Sequence, residues 1–371
     1  MYKTIEELVD KMDERNTDGS VSELIGVSID KCFIKSVANT NGTDLSKYKV
    51  IRKNDFAVSL MQVSRDSKIP VARLEEYDVA IMSPAYPIFR VKDENLILPE
   101  YLDMWFKRPE FDREAAFIAV GGVRGSMPWE EFAKMKLPVP SIEEQRKVVQ
   151  AYKTITDRIA LKKRINDNLE ATAQAYFDSL FFPAVEPDCT LADIAEVNPV
   201  RQLKKGEKAR CFDMATLPTN GCIPTGDEIK PYNGGVRFIN GDTLIARITP
   251  CLENGKAAYI NLLEDGEVAF GSTEYIVFAA KDTMPSSFYY FLIRNSHFVT
   301  FALQFMNGSS GRQRVSGEEL ASFPLVKPSD ENLKAFDKVG AMVLAQMKEN
   351  TDEIQKLKQL QEIITATLSS R

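Results

Sequence analysis

Leu137-Pro138-Val139-Pro140-Ser141-Ile142-Glu143-Glu144-Gln145-Arg146-Lys147-Val148-Val149 is where the chain changes character. Two prolines halt what precedes them, because proline has no amide donor for a helix or ladder. Ser141 then suits a helix N-cap, and Glu144 three residues on completes a capping box. No proline or glycine follows until Pro183. Val148, Tyr152, Ile155 and Ile159 advance in alternating steps of four and three, the seam of a coiled coil. Lys162 and Asn166 interrupt the stripe, and Leu169, Ala173, Tyr176 and Leu180 resume it. The spacing predicts a long helix over 141–182, a rod of roughly 60 Å at 1.5 Å per residue.

Outward from that helix, the chain says the same thing twice. Thr4-Ile5-Glu6-Glu7-Leu8 is echoed by Thr190-Leu191-Ala192-Asp193-Ile194, and Thr40-Asn41-Gly42 by Thr219-Asn220-Gly221. Asp55 returns as Asp242, and Ser83, Tyr86 and Phe89 return as Ser272, Tyr275 and Phe278. Arg124 and Glu130-Glu131-Phe132 match Arg312 and Glu318-Glu319-Leu320, and Pro138, Pro140 and Ser141 match Pro324, Pro328 and Ser329. A repeat of half the chain is too long for a solenoid unit. It predicts a duplicated domain-plus-helix, one polypeptide imitating a two-fold dimer. Ser329 opens the second long helix, with Asn332 where Glu144 stood. Its seam runs Leu333, Phe336, Gly340, Val343, Met347, Asn350, Ile354 and Leu357, then Leu360 and Ile364 after a slip.

The expected fold is α+β: two similar mixed domains separated by two long antiparallel coiled-coil helices, with a pseudo-two-fold internal repeat. The boundaries are 1–140 for the first domain and 141–182 for its helix, then 183–327 for linker and second domain and 328–371 for the second helix. Strands are expected over 78–82 and 86–91, and a helix over 101–106, where Leu102, Trp105 and Phe106 share a face.

Composition bounds the function. The 371 residues are 44% hydrophobic and 27% charged, ordinary values for a globular protein of two domains. No apolar run approaches the roughly 20 residues that span a bilayer, and Met1–Glu6 lacks a signal-peptide core, so the expectation is cytoplasmic. The five cysteines lack metal-ligand spacing and read as free buried thiols. His297, the single histidine, lies among Phe291, Leu292 and Phe298 and reads as half-buried. One histidine is too few for a zinc centre or a histidine-activated nucleophile. Gly221–Gly226 has the glycine frame of a P-loop, but Asp227 stands where lysine is required. Asn198-Pro199-Val200 lacks the second proline and aromatic of an amino-methyltransferase element. No catalytic residue and no metal site is expected.

The net charge of −6 counts against nucleic-acid binding, but phosphate contacts need only a local basic face. In the second domain Lys204, Lys205, Lys208 and Arg210 cluster. Arg247, Asn254 and Lys256 surround Thr249-Pro250, and Arg312, Gln313 and Arg314 close a Gly-rich loop. The first domain offers Lys53, Gln62, Arg65, Lys68 and Arg73, then Arg124 and Ser126 in a second Gly-rich loop. Arginine suits guanine, glutamine and asparagine suit adenine, and lysine suits phosphate. Each residue alone reads more readily as a solvated charge, and the recurrence of Arg124 and Arg312 in equivalent loops raises that pair above the rest.

The segment Leu137–Val149 resembles the Pro-rich, Glu-Gln element that opens the helices of type I restriction–modification specificity (S) subunits. Ala175–Phe181 resembles the close of that helix, and Thr243–Pro250 with Glu253–Lys256 resembles part of a target-recognition domain. The second helix departs from the motif at Glu331-Asn332-Leu333. The resemblance implies a non-catalytic reader of double-stranded DNA used in phage defence, each domain gripping one half of a bipartite asymmetric site. The helices would set the spacing and dock two methyltransferase subunits. S-adenosylmethionine, ATP and Mg would act in partner subunits, among them ATP-dependent restriction subunits, within a bacterial or archaeal cytoplasm. A protein-binding adaptor on a coiled-coil spacer, without DNA, is the alternative that the acidic balance permits.

Overall fold

The structure, a computed structural model, describes residues 1–36, 43–61, 63–120, 125–309 and 311–368. The chain divides into two compact units, Met1–Arg158 with Leu357–Arg371, and Ile159–Lys356. The α+β expectation holds in both.

In the first unit the domain is closed by its own ends. Tyr2–Thr4 pairs antiparallel with Lys136–Pro138. The Glu7 carboxylate accepts from the Thr4 amide at 2.8 Å and from its hydroxyl at 3.0 Å, capping the short helix Ile5–Leu8. A four-stranded antiparallel sheet follows in the order Val9–Met12, Ile88–Val91, Phe56–Val58, Val71–Arg73. These strands are short and rich in β-branched and aromatic residues, and one face packs onto helices Pro99–Phe106, Pro109–Ile118 and Trp129–Lys134. Phe56 stacks on Phe89 at 5.2 Å, and Phe106, Phe111 and Phe132 close around them.

The second unit repeats this plan. Cys189–Thr190 pairs with Pro324–Leu325, and Asp193 caps its helix by accepting from Thr190. The sheet runs Ala195–Val197, Tyr275–Ala280, Thr243–Ala246, Ala257–Tyr259, the same order with the same antiparallel pairings. The repeat extends to single turns. Asp55 accepts from the Arg52 amide at 2.9 Å and ion-pairs with Arg90, while Asp242 accepts from the Ile239 amide at 2.9 Å and ion-pairs with Arg201. The second domain adds a mixed sheet in the order Glu228–Pro231, Lys208–Phe212, Ala269–Gly271, Val236–Phe238.

Ile142–Phe181 forms a helix of 40 residues and Asp330–Thr367 one of 38. Ser141 and Glu144 make the reciprocal capping box, at 3.1 and 3.3 Å. At the second helix the Ser329 hydroxyl accepts from the Asn332 amide at 3.2 Å, but the Asn332 side chain donates to the Leu180 carbonyl at 3.0 Å instead. In the first unit Val148, Val149 and Tyr152 join the domain core with Ile364 and Leu368, and Gln361 donates to Thr156 at 2.7 Å. In the second unit Leu180 meets Asn332 and Asn166 meets Met347, so within each unit the two segments run antiparallel.

The seam differs from the expected one at two places. Tyr176 is 36% exposed and lies on the shoulder, touching Phe336 from the side, while the fully buried Phe177 fills the seam. From Ala173 the stripe steps by four to Phe177, not by three, because a residue every 3.6 positions drifts against a fixed heptad. Leu360 is 48% exposed, and its neighbour Gln361 faces the first helix. Leu169, Leu180 and Leu357 are half-buried at the seam, as are Val148, Tyr152 and Ile155, whereas Ile159, Val343, Met347 and Ile354 are buried. A Cβ at Gly340 would fall 2.7 Å from the Phe336 ring and 2.9 Å from the Ser287 hydroxyl, so glycine lets the domain approach there.

The polar residues that interrupt the stripe meet across the pair. Asn350, 1% exposed, donates to Asn166 at 2.7 Å and accepts from Lys162 at 2.9 Å, and Lys162 ion-pairs with Glu353 at 2.8 Å. Buried amides are tolerated only when hydrogen-bonded, so this layer favours one register over its neighbours.

Candidate nucleic-acid interface

In the second domain two loops are stitched together. Arg247 begins the loop after strand Thr243–Ala246, and its carbonyl accepts from the Val315 amide at 3.0 Å. Thr249 and Gln313 exchange bonds, amide to carbonyl at 3.0 Å and amide to hydroxyl at 3.1 Å. Asn307 and Arg314 exchange backbone bonds at 2.9 and 2.8 Å. Arg247, Arg312, Gln313 and Arg314 are thereby brought together, as their sequence positions alone did not require.

Their side chains are not equivalent. Arg314 is held by Glu274, whose oxygens accept at 2.7 to 3.0 Å, and that bonding holds the Glu274 carboxyl below its usual value. Arg312 is exposed and has no side-chain partner among the described residues. Arg247 is half-buried, and its Nε is buried without a hydrogen-bond partner among the described residues. It lines a hollow of about 450 Å³ with Asn198, Ser316 and Gly317. The Gln313 side chain is half-buried and Asn254 is exposed. Lys256 donates to the Met214 carbonyl at 2.6 Å, which leaves its ammonium partly committed.

Arg294, in helix Ser287–Arg294, was not singled out from sequence. Its guanidinium donates to the carbonyls of Gly255 at 2.6 Å and Gly221 at 2.8 Å, tying both Asn-Gly turns to the core. Gly255 has φ +71°, and a Cβ there would lie 3.3 Å from Arg294 Nη1, so the turn needs glycine twice over. Glu170 from the long helix accepts from Tyr290 and ion-pairs with Arg294 at 3.6 Å. The i, i+4 spacing of Tyr290 and Arg294 was the available signal.

Two expected contacts are spent inside the fold. The Arg210 guanidinium forks onto Asp227 at 2.9 Å and donates to the Leu262 carbonyl at 2.7 Å. The Arg73 side chain is 8% exposed, donates to Asn54 at 2.7 Å and pairs with Glu75. Both guanidiniums are committed within the fold, Arg210 to Asp227 beside the paired strand and Arg73 to Glu75 two residues further along the chain. Lys204 and Lys205 are exposed and carry no ion pair among the described residues. In the first domain Lys53 lies 3.5 Å from Asp78 and Arg65 2.9 Å from Asp66, while Lys68 is exposed. Ser126 is half-buried in a loop whose Gly125 packs on Ser64, 2.5 Å from where a Cβ would sit. Gln62 and Arg124 lie outside the described residues.

Three further readings are settled. His297 is exposed and stacks on Phe182 at 5.6 Å, because helix Ser296–Gln304 buries Phe298 and turns His297 outward. Cys211 and Cys222 are buried, but Cys32 is exposed and Cys189 and Cys251 are half-buried. Asn198 accepts from the Val277 amide at 3.0 Å, an architectural use of the Asn-Pro element.

No family model matches the chain. Over 190 residues, 48% of this chain, it is 28% identical to the type I restriction enzyme EcoEI specificity subunit of Escherichia coli. Over 132 residues, 34% of this chain, it is 33% identical to the type I restriction enzyme EcoAI specificity subunit of the same organism. These matches span 32% and 22% of the length of those curated relatives. The crystal structure of a type I restriction-modification system S subunit from M. genitalium superposes with a TM-score of 0.59 at 13% identity, covering 100% of this chain and 96% of that one. The chain has the fold of a type I S subunit. Its sequence likeness points to the same group of proteins. Within this chain the matching sheets are the frame common to both domains, and the stitched loops of Arg247 and Arg312 belong to the second.

Proposed function

We propose that this chain is the DNA-sequence-recognition subunit of a type I restriction–modification complex. Each domain, within 1–140 and 183–327, reads one half of a bipartite asymmetric site. The helices, within 141–182 and 328–371, fix the distance between the halves and dock two methyltransferase subunits. ATP-dependent restriction subunits complete the complex in the cytoplasm of a bacterium or archaeon. Two half-sites one turn apart lie roughly 34 Å from centre to centre, within the reach of helices this long. Methyl transfer would draw on S-adenosylmethionine, and cleavage on ATP and Mg, in the partners.

One observation carries the reading. A single domain plan occurs twice, with the same sheet order and the same Asp55 and Asp242 turns, yet different side chains project from matching loops. A frame repeated with altered loops suits a ligand with approximate two-fold symmetry and unlike half-sites. Among the described candidate donors, Arg247, Arg312, Gln313, Asn254, Lys204 and Lys205 carry no side-chain ion pair in the second domain, and Lys68 carries none in the first.

Mapping methylated bases in host DNA with and without the gene tests this. The expected result is a bipartite methylated-adenine motif that vanishes on deletion. A methylation map unchanged by deletion removes the reading.

A further inference from the structure

The loop before strand Lys208–Phe212 faces the strand Val236–Phe238 across a second hollow, of about 380 Å³, lined by different residues from the hollow of Arg247. We propose that Arg201, Lys204 and Arg237 form a pocket that takes one backbone phosphodiester of duplex DNA. This rests on the DNA-reading role proposed above and adds a site that positions the duplex without reading bases.

Three cationic side chains line the hollow, and the single acid among its lining residues is Glu207. That carboxylate is already engaged, accepting from the Lys204 backbone amide at 3.1 Å. Arg201 gives Nη2 to Asp242 at 3.0 Å, but its Nε is buried with no partner. Arg237 has no ion pair among the described residues, and its guanidinium lies 5.8 Å from the centre of the Tyr232 ring. Positive charge is therefore in excess in a small concave space, which suits a tetrahedral anion with several acceptor oxygens.

The pocket is preorganised by backbone, so that binding an anion orders little. The Gly206 amide donates to the Tyr232 carbonyl at 2.7 Å, and the Tyr232 amide donates to the Glu207 carbonyl at 2.8 Å. Leu203 packs against the small core of Ala209, Cys211 and Phe270, and Arg237 sits opposite Phe270 in the strand ladder. Gly235 admits no side chain, since a Cβ would lie 2.0 Å from the Gly271 carbonyl oxygen, and so the strand bearing Arg237 begins in close contact with its neighbour. Gln202 also lines the hollow, but three cations crowded around a small concavity suit a phosphate, and phosphate contacts position DNA without discriminating sequence.

The test is a salt titration of the full chain binding random-sequence duplex DNA. Arg237→Gln and Lys204→Gln should each reduce the slope of log affinity against log salt by about 0.9. Each should weaken binding about tenfold, the scale of one charge-assisted hydrogen bond. The loss should be equal on all sequences, and Arg237→Lys should keep the slope. Unaltered thermal midpoints show that the variants fold. An unchanged slope and affinity in both variants, with the parent chain binding normally, overturns the pocket and leaves the DNA-reading role standing. A parent chain with no salt-dependent binding overturns both. Titration with inorganic phosphate supplies the other arm. Saturation by phosphate that Arg237→Gln abolishes, with DNA binding untouched, assigns the pocket to free anion and also overturns the proposal.

Discussion

At the end of strand Phe56–Val58 the first domain places Leu60, whereas at the matching point after Thr243–Ala246 the second places Arg247. Both residues present a backbone carbonyl to a partner loop, accepting from Met127 at 2.9 Å and from Val315 at 3.0 Å. The Leu60 side chain packs against the apolar core, whereas the Arg247 side chain lines a hollow and has no hydrogen-bond partner at Nε among the described residues. Main-chain hydrogen bonds do not depend on residue type, so the frame survives while the side chain changes. The same contrast holds beneath the loops. Lys107 and Asp103 form the i, i+4 pair of the first domain, with Asp103 buried and its carboxyl raised by that burial. In the second domain Tyr290 and Arg294 take this place and draw their carboxylate, Glu170, from the long helix. The second domain is thus tied to its helix partly by charge, whereas in the first the buried Gln145 of the helix accepts from the Leu98 amide at 2.9 Å and donates to the Leu96 carbonyl at 2.9 Å.

That asymmetry yields the largest expected effect. Arg294→Ala removes the cation from beside Glu170 and frees two turn carbonyls, with both charged side chains 15% exposed. Breaking one partner of a buried pair costs about 3–5 kcal/mol. Lys107→Ala should cost less, about 1 kcal/mol, because its ammonium is 33% exposed and solvent screens the pair. Calorimetric unfolding of both variants compares them. Equal losses would mean that the two domains are fastened alike.

The loop contrast comes next. Arg247→Leu gives the second domain the residue of the first. It should weaken discrimination at one half-site by about 1–3 kcal/mol, roughly ten- to a hundredfold, and leave the other half untouched. Methylation maps of the variant read this directly. A uniform loss across all sequences would make Arg247 a phosphate contact instead.

The frame was legible in the sequence because its signals are local. A capping box spans four residues, an amphipathic stripe repeats every few, and the duplicated turns around Asp55 and Asp242 recur in register. Which arginines are free was not legible. Arg210 meets Asp227 17 residues away and Arg314 meets Glu274 40 residues away, so only the strand pairing decides that they are spent. Arg237 lies in a strand with no neighbouring basic residue to draw attention to it. The choice between Tyr176 and Phe177 failed for another reason: adjacent aromatics serve a three- or four-residue step equally well, and the phase of the helix settles it.

A smaller effect tests the polar layer. Asn350→Leu leaves Asn166 without its acceptor role and Lys162 without one of its two partners, at a cost of about 1 kcal/mol. The Lys162–Glu353 ion pair at 2.8 Å remains, which limits the loss. Replacing Asn166 and Asn350 together by leucine should recover stability, because no buried amide is then left unpaired. If the double variant is less stable than either single one, the layer contributes packing more than register.

The smallest effect returns to the loops. Bonding from Arg314 holds the Glu274 carboxyl below its ordinary value, and the field of Arg247 adds to it. A carboxyl lowered in the folded state contributes stability that is complete above its unfolded value and is lost as pH falls through the folded one. Acidification through the lower carboxylate range should therefore release Arg314 from Glu274 and loosen the stitch between the loops of Thr249 and Gln313. By the match of Tyr275 with Tyr86, Glu274 corresponds to Ala85, and by the match of Arg312 with Arg124, Arg314 corresponds to Ser126. The first domain thus has no equivalent ion pair to lose. Amide exchange followed from neutral to acid pH should show protection falling at Gln313 and Val315 before it falls at Met127. Simultaneous loss at all three would place the pH sensitivity in the shared frame and not in the loop that sets the domains apart.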